Sequence, residues 1–345
     1  MKKSKITIHD IAKALDTTAA TVSRALNNHP RISEETIRKV LDKAEELGYE
    51  RNSMASSLRK GQSKIIGIIV PYADRIFFSA VIRGIEEEVK RHGYNVIICQ
   101  SYEKIENEID DVNALLSAQV AGIIISPSRE TNTYAHLNKI INNGKTLVLF
   151  DRINSAVNAS SVSIDDYQGA YDAVSHLITS GCQRIAFLSG NQSVSIFKER
   201  QRGYISALEE NHISINNDLI VEVPSDVELG KVMTEKLMSL PNKPDAIFSS
   251  SDFSALGAVK WLIKNDYRVP EDVCVVGFGN DPFTRYLDPT MTSVDQKSKE
   301  MGKTAAQVFL EKLEGKSESN RKVLLTPELV VRESSMNAEV YSTQE

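Results

Sequence analysis

Cysteine is scarce in these 345 residues. There are three, Cys99, Cys182 and Cys274, an odd number without close spacing, which excludes a disulfide framework and a cysteine-rich zinc site and fits reduced thiols. Aromatic residues make up only 6% and tryptophan occurs once. No apolar run approaches the ~20 residues of a membrane span, and Ile65 to Val70 has the length of a strand. The start is basic, but His9, Asp10 and Lys13 interrupt Ile6 to Leu15, so it does not read as a signal peptide. The six histidines are scattered, with no pair at zinc spacing, and there is no Gly-x-Ser-x-Gly elbow. Gly144-Lys145-Thr146 and Gly302-Lys303-Thr304 imitate the end of a P-loop, yet Lys139 and Lys297 stand where its first glycine is required. These absences predict a soluble cytoplasmic protein, not an enzyme, with no metal, no cofactor and no membrane partner.

What is present is ordinary globular composition, 41% hydrophobic and 25% charged, at a length that predicts two or three domains. The net charge of −5 argues, taken whole, against a nucleic-acid partner. Split along the chain it says the opposite for one end. Residues 1–62 carry twelve Lys/Arg against eight acids, a net of +4, and the rest carries −9. Such asymmetry marks a basic module attached to a different one.

The first fifty residues read as three short helices. Thr7 with Asp10 forms a capping-box pattern, followed by Ile8, Ile11, Ala12 and Leu15 at helical spacing. A second helix opens at Thr18 with Val22, Ala25 and Leu26 inward. Only Asp16 and Thr17 separate the two, short enough for a helix-turn-helix. The third starts at Ser33, carries Glu34 and Glu35 in its first turn, and ends at Gly48. The apolar stripe of the second helix leaves Ala19, Ala20, Ser23, Arg24 and Asn27 outward, a small, hydrogen-bonding, basic face of the kind that enters a major groove. By itself this face equally suits a plain three-helix bundle in water.

From Lys64 onward short aliphatic runs alternate with amphipathic stretches. The runs are Ile65 to Val70, Val96 to Cys99, Gly122 to Ile125, Leu147 to Phe150, Arg184 to Leu188, Ala246 to Phe248 and Val273 to Val276. Continuous apolar strands joined by helices predict parallel sheets covered on both faces. Their number favours two doubly wound lobes over one sheet. The stretch after Arg332 reads as a frayed tail.

Between bundle and first strand lies Asn52-Ser53-Met54-Ala55-Ser56-Ser57-Leu58-Arg59-Lys60-Gly61, too short and polar to hold a helix alone. Together, Thr7-Ile8-His9-Asp10-Ile11-Ala12, Thr21-Val22-Ser23-Arg24-Ala25-Leu26-Asn27 and Asn52 to Leu58 resemble the headpiece and hinge of the LacI/GalR family of bacterial transcription regulators. The resemblance implies an all-α helix-turn-helix headpiece (1–49), a hinge helix (50–62) and an α/β two-lobed periplasmic-binding-protein-like domain (63–335). The lobe boundary would lie near 161–165, with the chain crossing back near 290–296 and 320–326. It further implies a homodimeric repressor on a palindromic double-stranded DNA operator. Ala19, Ala20, Ser23, Arg24 and Asn27 would read bases, Thr7, Thr18 and Arg31 would support them, and Asn52, Ala55 and Leu58 would reach the minor groove. Leu58 there is an apolar wedge between base pairs. Two positions depart from the family pattern: Asp16 replaces a turn glycine, and Arg51 replaces the proline before the hinge.

For the lobes the resemblance implies a small-molecule effector in the cleft, a sugar, sugar acid or sugar phosphate, at Tyr72, Asp151, Arg200, Asp252, Asn280 and Gln296. Asp252 also has the position of a helix cap. In Gly277-Phe278-Gly279-Asn280-Asp281-Pro282, Gly279 and Asn280 stand where many relatives carry paired aspartates, which predicts a cleft poorer in negative charge and an anion beside Arg200. A transport-type sugar-binding protein shares the two-lobe pattern but not the headpiece. Control by a phosphocarrier protein is the other alternative.

Overall fold

The computed structural model describes residues 6–49, 63–317 and 319–336. Backbone contacts divide the chain into two units, residues 1–63 and 64–345. Asn52, Ala55 and Leu58 lie outside the described residues.

In the first unit, α1 (Ile8–Ala14), α2 (Ala19–Leu26) and α3 (Glu34–Glu46) close one miniature core around Ile11, Val22, Ala25 and Val40. Each helix begins where its cap lies. Asp10 accepts hydrogen bonds from the Thr7 amide (2.8 Å) and hydroxyl (2.7 Å), and Thr18 Oγ1 and Ser33 Oγ accept from Thr21 N and Thr36 N. Asp16 takes a left-handed φ of 48°, a conformation that Asp tolerates better than most residues, so the turn closes without a glycine.

The second unit contains two six-stranded sheets. The first runs β11-β5-β4-β3-β1-β2, built from β1 (Ile65–Val70), β2 (Asn95–Gln100), β3 (Gly122–Ile125), β4 (Thr146–Phe150), β5 (Ser160–Ile164) and β11 (Lys322–Leu325), all parallel. The second runs β12-β10-β9-β8-β6-β7, from β6 (Ile185–Ser189), β7 (Ile220–Glu222), β8 (Ala246–Ser249), β9 (Cys274–Gly279), β10 (Thr292–Asp295) and β12 (Glu328–Val330), with only β12 antiparallel. The first sheet is packed between two apolar layers, one of them centred on α4 (Ile76–Arg91) and α11 (Ser298–Leu313), the other on α5 (Ile105–Ser117) and α6 (Ala135–Asn142). The second lies between α7 (Asp166–Thr179) with α8 (Ser195–Glu210) and α9 (Val227–Met238) with α10 (Asp252–Lys264). The chain passes between sheets three times, after β5, after β10 and after β11.

Five strands were not among the aliphatic runs. β5 is Ser-Ser-Val-Ser-Ile, polar by composition yet buried throughout, while β7, β10, β11 and β12 have three or four residues each. Short or serine-rich strands lack the apolar run that signals burial. The stretch after Arg332 also differs from expectation. Ser334 and Ser335 are fully buried, and Ser334 Oγ donates to the Val275 carbonyl at 2.6 Å, so the backbone through Ser335 is tied to β9 and β10 instead of fraying.

Helices α4 and α11 touch backbone to backbone. A Cβ on Gly302 would lie 2.0 Å from the Val81 carbonyl oxygen, and one on Gly84 2.2 Å from that of Lys299. Overpacking at such a contact costs about 1–3 kcal/mol. Gly302→Ala is therefore expected to lower the urea unfolding free energy by about that amount; an unchanged midpoint and slope would show that the helices have room to separate.

Candidate functional site

The two lobes enclose a cleft with a cavity of about 380 Å³, within the usual range for a small-molecule site. Strand ends and the loops after them line it, as open α/β sheets require. Tyr72 follows β1, Asp151 follows β4, Arg200 projects from α8, and Gln296 follows β10; all four face the cavity.

On the second lobe, Arg200 is buried, with 3% exposure. Its Nε donates to Asp166 Oδ1 at 2.8 Å, Nη1 to the Ser250 carbonyl at 2.7 Å, and Nη2 to Gln296 Oε1 at 3.0 Å, while Nη2 also lies 2.7 Å from Asp166 Oδ1. The guanidinium stacks 3.6 Å from the centroid of Phe278. Burial pushes Asp166 up to about 6 against the pull of Arg200, so near neutral pH the pair is ionised and internally neutral. Three of the five guanidinium hydrogens are thus committed to hydrogen bonds within the protein. An anion beside Arg200, as the sequence suggested, would have to compete with Asp166.

On the first lobe, Arg152 forms a two-pronged pair with Glu103, Nη1 to Oε2 at 2.6 Å and Nη2 to Oε1 at 2.8 Å. Glu103 also accepts from the Arg129 amide at 2.7 Å. Burial works to raise Glu103, but the Arg152 hydrogen bond and charge outweigh it, and the carboxyl sits below its ordinary value. The remaining Arg152 donor, Nε, is buried and makes no hydrogen bond among the described residues. Asp151 Oδ2 lies 3.8 Å from it, beyond hydrogen-bond distance, and takes only a long contact from Ser126 Oγ at 3.3 Å. Asp151 has a left-handed φ of 62° and is raised above the ordinary carboxyl value by burial. Sequence reasoning passed over Glu103, Arg129 and Arg152. Arg152 adjoins Asp151 at the end of an aliphatic run, a strand-end position that could have signalled it.

Two sequence candidates turn away from the cleft. Asp252 is 1% exposed and sits behind β9, accepting from the Asp281 amide at 2.7 Å and Ser293 Oγ at 2.6 Å. It does not cap α10 either; Ser251 does, through its hydroxyl to Phe253 N at 3.2 Å. Its carboxylate occupies the space where a Cβ on Gly277 would fall, 2.1 Å from Oδ1, which is why that position has no side chain. Asn280, with φ 51°, donates Nδ2 to Asp295 and accepts from Arg332 Nη2 at 2.7 Å, so it joins β10 to the C-terminal segment and not to the cavity. The expected loss of negative charge is also corrected. Asp281, one residue on, faces the cavity and restores a carboxylate.

In the headpiece, Ala20, Arg24 and Arg31 are exposed, and Ser23 is half-buried. Ala19 packs against the bundle core and so belongs partly to the inner face. Thr7 and Thr18 are engaged in the caps described above, and Asn27 Nδ2 donates to the Ser23 carbonyl at 2.6 Å.

Residues 7–52 match the bacterial regulatory proteins of the lacI family, and residues 174–335 match the periplasmic binding protein-like domain. The NTD biosynthesis operon regulator NtdR of Bacillus subtilis (strain 168) is 31% identical over 330 residues, covering 95% of this chain and 99% of the relative. The chain belongs to the LacI family. As a LacI-family member it is a DNA-binding transcription regulator with a helix-turn-helix reader and an effector-binding domain. Catabolite control protein A of Priestia megaterium is 32% identical over 331 residues, covering 96% of this chain and 99% of that one. These relatives are regulators, not enzymes. The fold is that of the lac repressor dimer bound to operator and the anti-inducer ONPF, at a TM-score of 0.88 and 24% identity over 97% of this chain and all of that one. Among the described residues no helix is long and apolar enough to cross a membrane, and no His, Cys, Asp and Glu cluster is placed to hold a metal.

The buried acids behind the cleft set a pH dependence. Burial, aided by the Asp281 charge, raises Asp252 from 3.8 to about 7. The folded protein therefore binds this proton more tightly than the unfolded chain, and the resulting stability is full below pH 4 and lost as pH rises through 7. His176, held below 6.5 mainly by burial, acts in the opposite sense on acidification. The difference between Asp252→Asn and wild type removes that contribution. Thermal melts should show the variant gaining on wild type from pH 5 to pH 8; a pH-independent difference would contradict the buried, proton-binding carboxyl.

Proposed function

We propose that this regulator binds a palindromic operator as a homodimer through Ala20, Ser23 and Arg24, with Ala19, Asn27, Thr7, Thr18 and Arg31 shaping or flanking that face. A hydroxylated small molecule, a sugar or sugar derivative, controls it from the interlobe cleft. The observation that carries the effector reading is the pair formed by Arg152 Nε and Asp151. A buried donor without an acceptor among the described residues stands 3.8 Å from a buried carboxylate, and both residues line the cavity. A hydroxyl placed between them would accept from one and donate to the other, and an unmet buried donor costs about 1–3 kcal/mol. Tyr72, Phe77 and Phe78 on one lobe and Phe197, Phe253 and Phe278 on the other give the apolar surfaces that sugar rings lie against. Tyr72, Arg200 and Gln296 complete the set.

For DNA, an exposed arginine on the outer face of α2 is the group suited to a bidentate contact with guanine, worth about 1–3 kcal/mol. The hinge residues Asn52, Ala55 and Leu58 are the sequence's candidates for the minor groove. Arg24→Ala should weaken binding to a selected operator by about 10- to 100-fold in fluorescence anisotropy while leaving random-DNA binding nearly unchanged. In the same preparation, monosaccharides that raise the wild-type melting temperature should fail to do so in Asp151→Asn. Equal operator affinity would remove Arg24 from base reading, and an undiminished thermal shift would remove Asp151 from the effector site.

A further inference from the structure

The charged groups of the cleft are not evenly distributed between its walls. The first lobe contributes Arg75, Arg129 and the internally satisfied Arg152–Glu103 pair, together with Asp151. The second contributes Arg200, neutralised from behind by Asp166, and two carboxylates, Asp281 and Glu222. Among the described residues Glu222 has only the neutral Asn191 amide as partner, at 2.9 Å. The Asp281 carboxylate has no hydrogen-bond or ion-pair partner among the described residues. Its own amide is given to Asp252, and only its main-chain carbonyl accepts, from Thr284 Oγ1 at 2.7 Å. A part-buried carboxylate with nothing to stabilise its charge is a local cost to the free protein, relieved by taking up a proton or by a ligand that brings a cation or several donors.

Resting on the reading of this cleft as the effector site, we propose that the effector carries a protonated amino group, held by Asp281 with Glu222 on the same wall, on a hydroxylated ring whose other end faces the arginines of the first lobe. The charge arrangement favours an amine over a plain hydroxyl. Among the described residues no cationic side chain approaches Asp281, whereas every buried arginine of the cleft already holds a carboxylate of its own. Gly279 strengthens the geometry. Its φ is 143°, and a Cβ there would stand 3.0 Å from Asp252 Oδ2, so the wall is bare at the position preceding Asn280 and Asp281 is the carboxylate that the loop presents. Burial alone raises Asp281 to about 6, the direction expected for an acid awaiting a counter-charge. The chemical class is thus an amino sugar or a similar amino polyol of monosaccharide size.

The test uses the full-length protein and compounds that differ at one substituent. Thermal shifts at pH 7.5 are measured with D-glucosamine, D-galactosamine and D-mannosamine, their parent neutral hexoses, their N-acetyl forms, and gluconate and glucose 6-phosphate. They are repeated on Asp281→Asn and Asp151→Asn. Because the Asp281 side chain holds nothing in the free protein, Asp281→Asn should fold, with an unliganded melting temperature at or above wild type. The expected result is a shift from at least one free amine, at least tenfold weaker in half-saturating concentration for its N-acetyl and neutral counterparts, and abolished in both variants. A neutral or anionic compound that shifts the protein as well as the amine does, and loses the shift in Asp151→Asn but not in Asp281→Asn, overturns the amine while leaving the cleft as effector site. A shift retained in both variants tells instead against the reading of the cleft. Silence of all three amines overturns the amino-sugar class.

Discussion

The structure of the effector domain depends on one buried guanidinium. Arg200 reaches from α8 to the start of α7 through Asp166, to the end of β8 through the Ser250 carbonyl, and to the chain crossing after β10 through Gln296, and it stacks on Phe278 of β9. Four segments that are distant in sequence are thereby fixed at the mouth of one cleft. Removing one member of a buried ion pair strands the other, at a cost of about 3–5 kcal/mol. A single arginine therefore constrains both the second lobe and one of the segments through which it joins the first.

That constraint also divides the work inside the cleft. Since Arg200 and Arg152 are each satisfied by an internal carboxylate, they contribute shape and directed hydrogen bonds more than net charge. The groups left for recognition are Arg152 Nε, which makes no hydrogen bond among the described residues, and Asp151, held only by a long contact from Ser126, on one wall, and Asp281 on the other. Asp252 belongs to the support of this arrangement. Behind β9, in the space that Gly277 leaves clear, it holds the amide of Asp281 and the hydroxyl of Ser293, and so sets the loop that carries Asp281.

Much of this was legible in the sequence, for physical reasons that also mark where legibility ended. The caps at Thr7, Thr18 and Ser33 and the apolar stripes behind them are local signals, and they yield the three helices of the headpiece directly. Tyr72, Asp151, Arg200 and Gln296 follow strands or begin from helices at the sheet edge, so position along the chain was enough to bring them to the cleft. Asp252 and Asn280 have the same kind of position but the opposite orientation, because their carboxylate and amide are drawn into long-range hydrogen bonds with Ser293, Asp295 and Arg332. No local pattern reveals that choice. The partnership of Arg152 with Glu103 spans 49 positions and was invisible for the same reason, as was β5, whose serines are buried because their neighbours in the sheet bury them.

The most direct test of the central claim is a double-mutant cycle on Arg200 and Asp166, read as urea unfolding free energies of the effector domain in the full chain. Arg200→Met and Asp166→Leu should each be strongly destabilising. The double variant should recover a coupling of at least about 2 kcal/mol relative to the sum, because it leaves no stranded charge. Losses that add to within about 0.5 kcal/mol would mean that the two groups act independently, and that the cleft is not organised around their pair.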